Sequence, residues 1–90
     1  MNFIKKFIDY SFDIAIEDSN LIIKYYNDKL NYYEKLIEME EKNKPLFFQK
    51  KKLMEYNTRL SEYKKIIEDT KNKLNKEIDL VIKLKSIDVE

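Results

Sequence analysis

Apolar residues recur every seven positions along the second half of the chain. From residue 46 onward, one row of this repeat is filled without a break by Leu46, Leu53, Leu60, Ile67, Leu74 and Val81. Sustained heptads are typical of a long helix with a coiled-coil-like seam. The pattern predicts a helix over about residues 45–85. Pro45 would lie in its first turn, where the missing N–H has no intrahelical partner to lose.

A second heptad runs through the preceding segment and predicts a helix over about residues 20–42. Its apolar row consists of Ile16, Ile23, Leu30 and Ile37. Polar residues follow this helix, and the residue before Pro45 is disfavoured from helical geometry. We therefore predict a turn at residues 43–45. The two helices would form a long, antiparallel, coiled-coil-like hairpin within a single all-α domain.

A turn at these residues also predicts which side chains face each other across the hairpin. Tyr33 would lie opposite Leu53, and Tyr26 opposite Leu60, so that each layer sets one ring against one aliphatic side chain. The halves have opposite net charge, −2 for residues 1–45 (7 basic, 9 acidic) and +3 for residues 46–90 (11 basic, 8 acidic). This difference favours antiparallel pairing, although surface charge pairs add little stability.

Residues 2–17 carry an apolar stripe that is out of phase with the heptad that follows. The stripe includes Phe3, Ile4, Phe7 and Ile8. The sequence Asp18-Ser19-Asn20 offers N-cap chemistry for a helix that begins at Leu21. We therefore predict an additional or kinked N-terminal helix over about residues 2–17. A continuation of the hairpin helix and a strand both stay open, since Phe12, Ile14 and Ile16 alternate with other residues.

The predicted hairpin has more apolar surface than its seam requires. The apolar arc of the helix over residues 20–42 covers roughly 160°, whereas an ordinary amphipathic helix needs about 100°. Aromatic residues and Met are enriched at protein interfaces. The candidate partner-binding residues are Tyr25, Tyr32, Met39, Phe47, Phe48 and Met54. Their partner is either a second copy, giving a four-helix bundle, or a different protein.

The composition excludes several classes of enzyme. The chain has no Gly, Cys or His, so it contains no Gly-rich phosphate loop, thiol nucleophile, imidazole base or Cys/His zinc site. The acidic run of Glu38, Glu40 and Glu41 is typical of a solvated helix face. We expect no enzyme activity, no cofactor and no metal centre.

By elimination, the sequence favours a non-enzymatic helical interaction protein. In size and Lys/Asn/Ile-rich composition it is similar to small accessory proteins of phages or mobile elements that inhibit host proteins, such as anti-CRISPR inhibitors, and to bacteriocin immunity proteins. The alternative is a nucleic-acid-associated protein that binds phosphate through Lys50, Lys51 and Lys52. The chain lacks an apolar run of membrane-spanning length. We expect a cytoplasmic protein without a membrane partner.

Overall fold

The computed structural model describes residues 3–87 and shows two long helices joined into a hairpin. Helix α1 spans Phe3–Lys42 and helix α2 spans Lys50–Ser86. The radius of gyration is 20.8 Å, against about 12 Å for a compact chain of this length. The extents of 76 × 15 × 13 Å are those of two helices lying side by side. The predicted all-α hairpin is confirmed, and the described residues contain no strand.

The predicted heptad rows form the seam between the helices. Every seam position of α2 from Leu53 to Leu84 is buried or half-buried, as are Ile16, Ile23, Leu30 and Ile37 of α1. Among the side chains that the structure describes, the buried hydrophobic ones are Tyr56 and Val81, and two buried polar residues, Ser19 and Thr70, share the seam with them. The hairpin therefore has a narrow core in which most side chains keep some contact with water.

The connection between the helices is longer than predicted. Helix α1 ends at Lys42 as expected, but α2 begins at Lys50 and not at residue 45. The turn Leu46–Gln49 explains the difference. The backbone N–H of Gln49 donates to the Leu46 carbonyl at 2.9 Å, and the Gln49 side-chain Oε1 accepts the Leu46 N–H at 3.0 Å. The first helical hydrogen bond then runs from the Leu53 N–H to the Gln49 carbonyl.

This longer connection changes the register of the hairpin. The ring of Tyr33 packs against Tyr63, with 5.9 Å between ring centroids, whereas Leu53 was predicted opposite it. At the far end, Phe12 and Leu84 line one surface depression. The predicted layers are wrong because moving the start of α2 shifts every facing pair while leaving each heptad intact. Leu46 was assigned to the seam but lies in the turn, where its side chain is exposed.

Helix α1 is continuous through the segment at which a break was predicted. Asp18, Ser19 and Asn20 all have helical geometry within one helix, so the predicted separate N-terminal helix is not shown. The Ser19 side chain is buried in the seam, so packing against α2 and the low cost of extending an existing helix outweigh the local N-cap chemistry. The strand alternative is wrong for residues 3–17, and residue 2 lies outside the described residues.

Candidate docking surfaces

Three large apolar side chains form an exposed row along α1. Tyr25, Tyr32 and Met39 follow each other at seven-residue intervals, and their exposed fractions are 58%, 59% and 60%. We call these three residues the α1 strip. Seven residues make about two helical turns, so the strip occupies one side of α1 over some 21 Å. The structure thus brings together these three predicted interface residues.

The tyrosines of the strip are braced by tyrosines of the seam. The ring of Tyr32 meets Tyr33 edge to face with 5.2 Å between centroids, and Tyr25 packs at a tilt on Tyr26 at 5.5 Å. Tyr33 in turn packs on Tyr63 of α2. Offset and edge-to-face ring pairs are each worth about 0.5–1.5 kcal/mol beyond area burial. The rings of Tyr25 and Tyr32 are therefore already packed against tyrosines of the seam when no partner is bound.

A second exposed apolar site lies at the tip of the hairpin. Phe47 is 85% exposed and Phe48 is 63% exposed, and their rings meet edge to face at 5.5 Å. We call these two residues the tip pair. Both lie inside the Leu46–Gln49 turn, whose ends are joined by a backbone and a side-chain hydrogen bond. The tip pair is an aromatic cluster on an ordered turn.

Met54, the sixth predicted interface residue, lies apart from the α1 strip. Arg59 forms an ion pair with Glu40, and Glu40 lines a surface depression together with Met39 of the strip. Arg59 therefore lies on the same flank of the hairpin as the strip. Met54 precedes Arg59 by five residues, which places it about 140° away around α2. Two surface depressions are lined by Met54, and both contain residues of α2 only. The structure therefore does not group Met54 with the strip.

Lys50, Lys51 and Lys52 form the first turn of α2. All three are exposed, and this turn contains no acidic residue. A helix N-terminus carries partial positive charge, so lysines there are unfavourable for the helix but attract anions. The predicted phosphate-binding residues are thus placed next to the tip pair.

An ion pair between the helices was missed by the sequence reasoning. The guanidinium of Arg59 donates to Glu40 through Nε at 3.1 Å and through Nη2 at 3.0 Å. The hydrogen bond to Glu40 raises the pKa of Arg59, against a smaller opposing effect of partial desolvation. Glu40 had been assigned to a solvated face. The sequence does contain one indication of this ion pair, which is that Arg59 is the single Arg among the basic residues. Arg is better suited than Lys to bidentate contacts with a carboxylate.

Comparisons of the chain with protein families, with curated proteins and with solved structures give no match. The candidate sites thus rest on the geometry of this chain.

The described residues also bear on metal binding and on membrane insertion. Between residues 3 and 87, no group of three or more acidic side chains is placed to hold a metal ion. Over the same residues, neither helix has an apolar stretch long enough to cross a bilayer.

Proposed function

We propose that this chain is a non-enzymatic helical protein-interaction module whose docking surfaces are the tip pair and the α1 strip. The observation that carries the proposal is the exposure of Phe47 and Phe48 within a hydrogen-bonded turn. An exposed aromatic pair on an ordered turn loses little conformational entropy when a partner covers it. Aromatic side chains also supply a large part of the binding energy at protein interfaces.

The arrangement of the exposed apolar side chains supports this proposal. Apolar residues scattered singly over a surface are ordinary, whereas contiguous apolar patches mark interaction sites. The tip pair is contiguous, and the strip recurs on one side of one helix. The finer form of the proposal is a phage or mobile-element product that inhibits a host protein by covering part of its surface. Its support is the size and composition of the chain.

The proposal is tested by affinity capture with the biotinylated full chain in lysate of the native host. Replacing the tip pair by Phe47→Ser and Phe48→Ser should abolish recovery of a saturable, stoichiometric protein partner. The matched control is Tyr10→Ser with Ile82→Ser, which removes two comparably exposed side chains at the other end of the hairpin. Recovery that is the same for the tip variant and the control contradicts the proposal. Circular dichroism verifies that both variants remain helical.

Nucleic-acid binding is the second candidate, because the three lysines occupy a helical first turn beside exposed aromatic rings. Single-stranded DNA or RNA would stack on Phe47 and Phe48 while its phosphates meet Lys50, Lys51 and Lys52. A gel shift with a single-stranded oligonucleotide at low salt should then be lost when the three lysines become Gln. Charge contacts of this kind weaken steeply as salt increases. If the wild-type chain gives no shift at low salt, this candidate is wrong.

A further inference from the structure

Helix α1 has a second heptad row besides the one that faces α2. The row begins at Ile4 and ends at Met39, and its spacing alternates between four and three residues. It includes the whole α1 strip, and its centre lies about 110° around the helix from the centre of the first seam. Eight of its eleven positions are apolar, and the others are Ser11, Asp18 and Lys29. A helix in a two-helix hairpin needs one seam, so the second row is suited to packing against a third helix.

The corresponding surface of α2 has a different character. On the same flank of the hairpin, the two equivalent rows of α2 run from Lys52 to Lys83. Only two of their ten positions are apolar, Ile66 and Leu80. The apolar surface of this flank thus lies mainly on α1 and is about as narrow as a single helix. Its occupant should be one helix that lies along α1.

We propose that this occupant is α1 of a second copy of the chain, packed antiparallel about a two-fold axis between Ile22 and Tyr25. The charged residues of the row indicate that its partner is a second copy of the same helix. The row contains one acidic and one basic residue, Asp18 and Lys29. This axis places Asp18 of each copy opposite Lys29 of the other, so that both charges of the row are paired twice by the symmetry.

The same axis also matches side-chain volumes along the row. Large residues face smaller ones, with Tyr32 opposite Ala15 and Leu36 opposite Ser11, while Met39 lies opposite Ile8. A parallel pairing would set Asp18 against Asp18 and Lys29 against Lys29, which is destabilising. Sliding the antiparallel pair by seven residues would set Asp18 against the apolar Leu36 or Ile22. One register therefore satisfies both charge and volume from Ile8 to Met39.

Such a dimer displays the two tip pairs at opposite ends. Helix α1 ends at Lys42, so the C-terminal ends of the two α1 helices are separated by roughly 55 Å at 1.5 Å per residue, and the tips lie beyond them. Two copies of the Phe47–Phe48 site on one rigid rod would bind a partner with paired sites more tightly than a single hairpin would. The inference rests on the proposed function, because it treats the α1 strip as a docking surface and leaves the tip for a different protein.

The test is the concentration dependence of the mass of the purified full chain, measured by sedimentation equilibrium. We expect a monomer–dimer equilibrium. Tyr25→Glu with Tyr32→Glu should raise the dissociation constant at least about 100-fold, because it buries four carboxylates in the symmetric interface. The matched control is Glu17→Lys with Lys24→Asp, on the side of α1 away from the strip, and it should leave the constant unchanged. A wild-type chain that stays monomeric overturns the inference, as does a dimer that the two Glu substitutions leave intact.

A charge swap tests the register. Asp18→Lys alone and Lys29→Asp alone should each raise the dissociation constant by about tenfold, since each replaces two attractive pairs by two repulsive ones. The double variant should restore the wild-type value. Single reversals without effect, or a double variant weaker than either single one, overturn the antiparallel register. A wild-type chain that stays monomeric but still captures a partner through the tip pair would overturn this inference while leaving the proposed function standing.

Discussion

Replacing Tyr56 by Ala should remove most of the stability of the hairpin. The Tyr56 side chain is 4% exposed. It lies near the N-terminal end of α2, on the side of the helix that forms the seam. Truncation of a buried large side chain costs about 3–5 kcal/mol, because transfer energy is lost and a cavity is left. Small single domains have total unfolding free energies at the low end of about 5–15 kcal/mol. A loss of this size is therefore comparable to the total unfolding free energy of the hairpin.

The measurement is urea unfolding followed by circular dichroism at 222 nm, at one fixed protein concentration because association also contributes to apparent stability. The matched control is Tyr10→Ala, which removes the same ring from a position that is 65% exposed. That change should alter the unfolding free energy by no more than about 0.5 kcal/mol. Equal losses for the two variants would contradict the assignment of Tyr56 to the core.

The helices and their seam followed from the sequence because a heptad states directly which side of a helix is buried. The register did not follow, since a heptad is satisfied equally well by any slide that keeps apolar rows together. The register depends on the length and geometry of the connection, which includes the hydrogen bond from the Leu46 N–H to the Gln49 side-chain oxygen. No periodic pattern contains that information. The pairing of Arg59 with Glu40 depends on the register and was missed for the same reason.

The apolar stripe of residues 2–17 shows a different limit of sequence prediction, which arises when only one heptad row is considered on each helix. Ile4 and Ile8 are out of phase with the seam that faces α2, and this mismatch predicted a break in the helix. They are in phase with the second row of α1, which contains Tyr25 and Tyr32. Two rows on one continuous helix therefore account for Ile4 and Ile8, whereas Phe3 and Phe7 belong to neither row. The candidate interface residues were predicted from the excess of apolar surface over the seam, and five of them are exposed in the structure as that prediction requires: Tyr25, Tyr32, Met39, Phe47 and Phe48.

Asn20→Pro should destabilise the hairpin by about 3 kcal/mol or more, because residue 20 lies in the interior of α1. Proline removes the hydrogen bond to the Ile16 carbonyl and clashes with that carbonyl. If a helix instead began at Leu21, proline at residue 20 would precede its first turn and would be tolerated. The substitution thus distinguishes a continuous α1 from two consecutive helices.

The control for this change is Asn20→Ala, which should raise the unfolding free energy slightly, by about 0.5 kcal/mol, since Ala has the higher helix propensity. Both variants are compared by urea unfolding and by their helical circular dichroism signal. Equal stability of the Pro and Ala variants would mean that residues 18–20 do not carry helical hydrogen bonds in solution. Because the second row of α1 also passes through this segment, a kink at residue 20 would bend its two halves out of line. The Pro variant should therefore also lose dimerisation, whereas the Ala variant should keep it.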